Sequence, residues 1–154
     1  MATKKQTKTI HFTINDLDVT GKEGETVIDV AKRYGVNIPH LCMHPRLERI
    51  GACRMCIVEI EGVPKPVTSC TTFIREGMEV RTHTPQVLHD RRETLKLILA
   101  NHKYECVTCS QNLDCKLQTY SHDLGITEVP FKQGEKRPWT VDTSSVSIQR
   151  DSSK

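Results

Sequence analysis

The chain has 154 residues and a net charge of +3, with 36% hydrophobic, 5% aromatic and 27% charged residues. The charges are spread along the chain, and Arg91 and Arg92, which Asp90 and Glu93 flank, are predicted to lie on a solvated surface. No basic stripe with interleaved aromatic residues occurs, so the sequence does not indicate nucleic acid binding. The sequence also has no run of about 18 apolar residues, which a membrane-spanning helix would need.

The first third of the chain predicts a hairpin followed by a helix. Apolar and polar residues alternate over residues 8–20 around the turn pair Asn15-Asp16. An amphipathic helix follows, with Thr26 as its N-cap and Gly35 as its C-terminal stop. The residues predicted for its apolar face are Val27, Val30, Ala31 and Tyr34. Further strands are predicted at 55–60, 63–68 and 78–82.

A second helix is predicted to begin at Thr84-Pro85, with threonine as the N-cap and proline in the first turn. The residues predicted to share one side of it are Leu88, Leu95, Leu99 and His102, the last of them in its final turn. A short third helix is predicted after Asn112, with Cys115 in its first turn and Gly125 as its stop. Its predicted apolar face consists of Leu113, Leu117, Tyr120 and Leu124.

Seven cysteines and one histidine fall into two sets of four possible metal ligands, and no cysteine is left over. The first set, Cys-x10-Cys-x2-Cys-x13-Cys, consists of Cys42, Cys53, Cys56 and Cys70. The second set, His-x3-Cys-x2-Cys-x5-Cys, consists of His102, Cys106, Cys109 and Cys115. Four-ligand sites rich in thiolates are typical of iron-sulphur clusters and of structural zinc.

Disulfide bonds are the first alternative for a cysteine-rich chain of this size. An odd number of cysteines would leave one thiol unpaired, and the two Cys-x2-Cys pairs suit a shared metal. The N-terminal residues 1–8, MATKKQTK, lack the apolar stretch of a signal peptide. A reducing, cytoplasmic location is therefore expected.

The first set predicts a 2Fe-2S cluster. It ends as plant-type ferredoxins do, with a tight Cys-x2-Cys and a distant fourth cysteine, but ten residues separate its first two cysteines where those proteins have four. Gly51 and Ala52 are small enough to let backbone amides approach the inorganic sulphurs.

The second set predicts a 4Fe-4S cluster, because four ligands within 14 residues can wrap a cubane. A lone histidine at this position would ordinarily cap the end of its helix, but without His102 the three cysteines make an incomplete site. A neutral imidazole in place of a thiolate removes one negative charge. Reduction is therefore expected to be easier than at a four-cysteine cubane.

Three alternatives remain for these ligands. Zinc is the strongest, since four cysteines, or three with one histidine, are ordinary structural zinc sites, although such sites usually pair two close doublets. Cys42-Met-His44 is reminiscent of a Rieske centre, which would need a second such pair, so His40 and His44 are predicted to be loop residues or neighbours of the ligands. A thioredoxin-like Cys-x2-Cys would have to open a helix after a buried strand, and neither pair does.

Four stretches together resemble a known electron-input module. They are GACRMCIVEI at 51–60, PKPVTSC at 64–70, GMEV at 77–80 and the histidine-cysteine motif at 101–115. The module is the N-terminal region of the iron-sulphur-rich large subunit of complex I and of its relatives in iron-only hydrogenases and NAD-dependent formate dehydrogenases. The resemblance covers nearly the whole chain and keeps every ligand. Longer members continue with further cysteine runs and a catalytic domain, so the chain is expected to be either a short relay subunit or a fragment.

The order of elements predicts an α+β chain whose residues 1–82 form a ubiquitin-like β-grasp domain of the plant-type-ferredoxin kind. A small, mainly helical 4Fe-4S domain is predicted at 83–125 and an extended docking or linker tail at 126–154, of which 138–154 looks most like the hydrogenase and formate dehydrogenase branch. The resemblance assigns the 2Fe-2S cluster to the first ligand set and the 4Fe-4S cluster to the second.

The resemblance also implies a function. In this family the module relays single electrons between a flavin-containing NADH-oxidising subunit and a terminal redox site, within a hetero-oligomer of redox subunits. The chain is therefore expected to be an electron-relay component that is not catalytic alone, since no phosphate-binding loop, carboxylate pair or catalytic triad is visible. The alternative is a zinc-stabilised protein interaction module without a redox role.

Overall fold

The computed structural model describes residues 8–132 and 145–146. The chain forms two compact units, Met1–Thr94 and Leu95–Lys154. The elements in chain order are β1 (Thr9–Ile14), β2 (Leu17–Lys22), α1 (Val27–Arg33), β3 (Ile57–Ile60), β4 (Val67–Thr68), β5 (Glu79–Arg81), α2 (Pro85–Ala100), a 3₁₀ helix (Cys106–Thr108) and α3 (Lys116–Asp123). Of the predicted extended tail, 126–132 have no regular secondary structure and most of 133–154 lies outside the described residues.

The five strands of the first unit form one mixed sheet in the order β2-β1-β5-β3-β4. Strands β1 and β2 pair antiparallel from Thr9 opposite Lys22 to Ile14 opposite Leu17. Asn15 and Asp16 between them both have positive φ angles, 51° and 65°, as a two-residue type I′ turn requires. The predicted hairpin is confirmed, and β1 also pairs in parallel with β5 at the centre of the sheet.

Helix α1 begins at the cap that the sequence predicts. The Asp29 carboxylate accepts hydrogen bonds from the backbone N–H of Thr26 at 3.4 Å and from its hydroxyl at 2.7 Å. Val27 and Val30 are fully buried in the hydrophobic core with residues of the sheet. The prediction for Tyr34 is wrong: because the helix ends at Arg33, Tyr34 lies 38% exposed and its hydroxyl hydrogen-bonds to Thr20.

The long loop before β3 is fastened to α1 by Arg49. Its Nη1 and Nη2 atoms each donate to one oxygen of Asp29 at 2.7 Å, and Nη1 also donates to the Thr26 hydroxyl at 2.8 Å. The bonds from Arg49 lower the pKa of Asp29 from its ordinary 3.8 to about 2, against the opposing effect of burial. The loop that carries Cys42 and Cys53 is therefore tied to the first turn of α1.

Helix α2 begins at Pro85 as predicted, and the Thr84 hydroxyl accepts a hydrogen bond from the Val87 amide at 3.2 Å. Four of the side chains buried along it recur every fourth residue: Val87, Arg91, Leu95 and Leu99. The prediction for Arg91 is therefore wrong: this residue, expected on a solvated surface, is 1% exposed. Leu88, on the side predicted to be apolar, is partly buried. In the described part of the chain, no helix has the length and apolar character needed to cross a membrane.

The second unit departs from the predicted helix boundaries. Helix α2 ends at Ala100, so His102 lies two residues beyond it rather than in its last turn, with its amide donating to the Leu99 carbonyl at 2.9 Å. Leu113, predicted for the apolar face of α3, is 94% exposed because it precedes the helix in a left-handed conformation with φ of 70°. Cys115 is the N-cap of α3 rather than part of its first turn. Tyr120 and Leu124 are buried as predicted.

The Arg49–Asp29 pair gives a pH prediction. Because the folded pKa of Asp29, about 2, lies below its ordinary value of 3.8, the stability from this pair is present above about pH 4 and lost as the pH falls toward 2. Replacing Arg49 by Met should move the Asp29 midpoint back toward 3.8 in a carboxyl ¹³C NMR titration. At neutral pH, Arg49→Met should lower the free energy of unfolding by about 1 kcal/mol or less, since both side chains are partly exposed.

The matched control for this titration is Arg46→Met in the same exposed loop, which should leave the Asp29 midpoint where it is in the wild type. If the titration midpoint of Asp29 were the same in Arg49→Met and the wild type, the ion pair between Arg49 and Asp29 would be contradicted.

Candidate metal centres

All seven cysteines are free thiols in the structure, so it contains no disulfide bond among them. The first ligand set lies in the first compact unit and the second set in the second. Cys56 and Cys70 are buried, Cys42 and Cys53 are partly exposed, and Cys109 is exposed. His40 and His44 serve the loop: His40 Nδ1 lies 3.0 Å from the Ile38 carbonyl oxygen, and His44 Nδ1 accepts a hydrogen bond from the Arg46 amide.

The four thiols of the first set are arranged as two pairs. The Cys42 thiol donates a hydrogen bond to the Cys53 sulphur, and the Cys70 thiol donates to the Cys56 sulphur. A 2Fe-2S cluster takes four cysteines, two on each iron. The described residues contain no group of three or more histidine, cysteine or acidic side chains placed to hold one metal ion. The structure does bring the thiols of the first set together in two pairs, Cys42 with Cys53 and Cys56 with Cys70.

The chemistry of these donors fits a positively charged centre. Burial raises the pKa of Cys70 to about 12, and the thiol of Cys56 and the charges on Cys42 and Cys53 act in the same direction. Four crowded thiolates repel one another, so they become ligands only when a metal takes up their charge and releases their protons. The donor set therefore fits a metal that binds soft thiolates, as iron does.

Backbone amides converge on the sulphur of Cys53. Burial raises its pKa, but hydrogen bonds from the amides of Cys42, Met55 and Leu41 and from the Cys42 thiol outweigh that effect and lower it. Arg54 adopts a left-handed conformation with φ of 56°, which turns the chain between Cys53 and Met55. Amides so placed stabilise negative charge on a ligand sulphur. The small residues Gly51 and Ala52 predicted approaching amides in their own neighbourhood, whereas the amide of Leu41 was not predicted from the sequence.

The segment before Cys70 is held from two sides. The Ser69 amide and hydroxyl both donate to the Cys56 carbonyl, at 2.9 Å and 2.7 Å. The Ser69 carbonyl accepts a hydrogen bond from the Ile28 amide at 3.2 Å, in the first turn of α1. Cys56 and Cys70 are therefore joined through Ser69 as well as through their thiols, which fixes the separation of this pair.

A cavity of about 550 Å³ brings three of the four residues of the second set together: His102, Cys106 and Cys115. Its volume falls in the range of ligand-binding sites. Its other lining residues are mainly apolar: Leu99, Tyr104, Leu117, Gln118, Ser121, Ile126, Thr127, Glu128 and Val129. Residues 126–129, predicted as part of a docking tail, therefore form one wall of this cavity, which the sequence did not indicate.

Cys109 is the member of the second set that does not line the cavity. It caps the 3₁₀ helix, and its amide donates to the Cys106 carbonyl at 3.2 Å. The loop from Cys109 to Cys115 is closed by Gln118, which accepts from the Leu113 amide at 3.1 Å and donates to Asn112 at 2.9 Å. The second set thus offers three sulphur donors and one imidazole. Judged by donor type alone, these ligands suit either a polynuclear iron centre or zinc.

Comparisons with known proteins match both ligand-bearing segments. Residues 7–85 match the model of a 2Fe-2S iron-sulfur cluster binding domain. Residues 91–130 match the model of the NADH-ubiquinone oxidoreductase-G iron-sulfur binding region, a 4Fe-4S model. The chain therefore belongs to the family of 2Fe-2S iron-sulfur cluster binding domains, and it carries the 4Fe-4S binding region after that domain. The predicted family and both predicted cofactors are confirmed.

Individual relatives are longer than this chain. The mitochondrial NADH-ubiquinone oxidoreductase 78 kDa subunit of Neurospora crassa is 38% identical over 124 residues, which cover 80% of this chain and 17% of that protein. NADP-reducing hydrogenase subunit HndD of Solidesulfovibrio fructosivorans is 36% identical over 149 residues, 93% of this chain and 25% of that protein. The crystal structure of an NAD⁺-reducing NiFe-hydrogenase in the H₂-reduced state matches with a TM-score of 0.75 and 30% identity, over 83% of this chain and 55% of that one.

Iron analysis of paired cysteine variants tests the ligand sets. The wild type should bind about six irons per chain, two in one cluster and four in the other. Replacing Cys56 and Cys70 by Ala should leave about four irons, and replacing Cys106 and Cys115 should leave about two. Iron and acid-labile sulphide measured on the same samples check these counts.

His44→Ala is the matched control, because it removes a possible ligand beside Cys42 and should retain about six irons. A loss of iron in His44→Ala, or unchanged iron after removal of either cysteine pair, would contradict the assignment.

Proposed function

We propose that this chain is an electron-relay module with two clusters, working between an NADH-oxidising flavin subunit and a terminal redox site of the hydrogenase or formate dehydrogenase type. The observation that carries the proposal is that two ligand sets of different donor type lie in one chain, each within its own compact unit. The names of the relatives, oxidoreductase and hydrogenase subunits, support a redox role within a hetero-oligomer. A cytoplasmic location belongs to the same proposal.

The ligand assignment follows the two sets. We assign the 2Fe-2S cluster to Cys42, Cys53, Cys56 and Cys70, supported by their arrangement as two thiol pairs. We assign the 4Fe-4S cluster to His102, Cys106, Cys109 and Cys115, supported by the cavity that three of them line. When bound, the clusters supply reversible one-electron chemistry.

We also propose a division of the chain into domains. We assign a ubiquitin-like β-grasp domain to residues 1–82, supported by the sheet order and by the parallel pairing of β1 with β5. The helical cluster domain at 83–125 and the tail at 126–154 complete the proposed division. Support for a mainly helical second part comes from the 3₁₀ helix and α3.

The residues of the chain contribute charge stabilisation and access rather than substrate chemistry. Amides of Leu41, Cys42 and Met55 place partial positive charge at the Cys53 sulphur, which favours the more negative state of the centre that it binds. Cys42, Cys53 and Cys109 reach the surface, where a redox partner can approach. With every thiol assigned to a metal, none is available as a nucleophile.

The competing function is a zinc-stabilised interaction module, which the three-cysteine, one-histidine donor set favours because it is an ordinary zinc set. The protein purified without oxygen decides between the two functions. Broad visible absorption that dithionite bleaches supports the relay, and a colourless protein with two zinc ions per chain would end it.

The relay predicts two separate one-electron steps. Titration of the full chain with dithionite, followed by EPR, should produce one cluster signal with the first electron and a second, different signal with the next. Adding ferricyanide should remove both signals. In Cys56→Ala/Cys70→Ala only the signal of the 4Fe-4S cluster should remain, and one signal in the wild type would contradict a two-cluster relay.

His102→Cys tests the imidazole ligand. Because a thiolate adds one negative charge to the second centre, its midpoint potential should fall in an EPR redox titration, while about six irons remain bound. His122→Cys is the control, since His122 is exposed in α3 and outside the ligand set. An unchanged potential in His102→Cys would remove His102 from the proposed ligands.

A further inference from the structure

The most unusual side chain of the first unit is Arg91. It lies on α2 and is 1% exposed, the largest side chain among those fully buried in the described part of the protein. Its Nη2 donates to the Ile57 carbonyl at 2.7 Å, at the residue that follows Cys56. Its Nε is buried and has no hydrogen-bond partner within the described residues. The guanidinium is therefore both enclosed and only partly hydrogen-bonded.

Burying a charge without a partner is strongly unfavourable, and buried arginines are ordinarily paired with carboxylates. No carboxylate in the described residues forms an ion pair with Arg91. Burial lowers the pKa of Arg91 to about 10, so the side chain stays positively charged at neutral pH. Its compensating negative charge must come from another kind of group.

That group is at Cys56. The guanidinium is hydrogen-bonded to the residue that follows Cys56, and negative charge on the Cys56 sulphur acts to raise the pKa of Arg91 against the effect of burial. Cys56 is itself 1% exposed, so water screens the interaction of the two groups very little. The hydrogen bond from the guanidinium to the Ile57 carbonyl places it beside the same stretch of backbone.

We propose that Arg91 is the buried counter-charge of the 2Fe-2S cluster on the Cys56 side and raises the midpoint potential of that cluster. The inference rests on the proposed assignment of Cys56 as a cluster ligand. Reduction adds one electron to a centre that is already negative, and a fixed positive charge nearby in a poorly screened site stabilises the reduced form more than the oxidised form. Arg91 thus acts on the cluster only through its fixed positive charge, and it exchanges no proton or electron with the cluster.

The test is an EPR-monitored redox titration of the full chain with its clusters. Arg91→Met keeps the volume and removes the charge. At the potential where the wild-type 2Fe-2S cluster is half reduced, the ratio of reduced to oxidised cluster in Arg91→Met should fall by at least about tenfold, which corresponds to about 59 mV for one electron. Arg91→Lys keeps the charge and should retain most of the wild-type ratio.

Arg92→Met is the matched control, because it removes the same charge from the next residue of α2, which is exposed. Solvent and salt screen that position, so the ratio should change by less than about twofold. If Arg91→Met loses the cluster, Arg91→Gln, which can still donate a hydrogen bond, is compared with Arg91→Lys, and the same order of ratios is expected.

The outcomes separate this inference from the proposed function. A wild-type chain that binds no iron would refute the cluster assignment itself. A 2Fe-2S signal of normal intensity whose midpoint is the same in the wild type, Arg91→Met and Arg91→Lys would overturn the role of Arg91 and leave the relay intact. If Arg91 had only a structural role, its variants would lose cluster content or stability, but their midpoint potentials would not follow the charge at position 91. That result would also overturn the proposal.

Discussion

The crowding of sulphur atoms is the constraint on which the first unit depends. Cys56 and Cys70 are buried against each other, and burial with the neighbouring thiols raises the pKa of Cys70 to about 12. Four such groups cannot all be thiolates unless a cation shares their charge. On the proposed assignment, iron would cross-link segments that have little regular structure, and the stability of the unit would be coupled to the cluster. Because only 36% of the residues are hydrophobic, the core is small, and a metal cross-link would add stability that the core does not supply.

The loop between the first two cysteines shows how the chain meets that constraint. A longer loop costs more conformational entropy to close, and here the two-pronged bond from Arg49 to Asp29 offsets part of this cost. The same Asp29 completes the cap of α1, whose first turn also binds Ser69 through the Ile28 amide. One helix end therefore positions both the loop of Cys42 and Cys53 and the segment of Cys70.

Features specified by neighbouring residues were predictable from the sequence, and features specified by packing were not. The Asn15-Asp16 turn, the Thr26 cap and the start of α2 at Pro85 each depend on a few adjacent residues, and the structure confirms them. The buried side of α2 depends on what the helix packs against, so a charge pattern that indicated a solvated Arg91 was misleading. The eight proposed ligands were visible as spacing, whereas the pairing of thiols, the amide of Leu41 and the cavity wall at 126–129 needed the folded chain.

On the proposed assignment, the negative charge of the first centre is offset by a neighbouring cation and that of the second centre is reduced by a neutral ligand, and the different exposure of the two sets accounts for this difference. The first set has four thiolates, two of them buried, where a fixed cation such as Arg91 acts through a medium of low dielectric constant. The second set includes the exposed Cys109, where a nearby cation would be screened by water and salt. Replacing one thiolate by the neutral imidazole of His102 changes the charge on the centre itself, which solvent screens least. The midpoint potential of a buried centre can therefore be set by charged side chains nearby, while that of an exposed centre depends more on the charge of its own ligands.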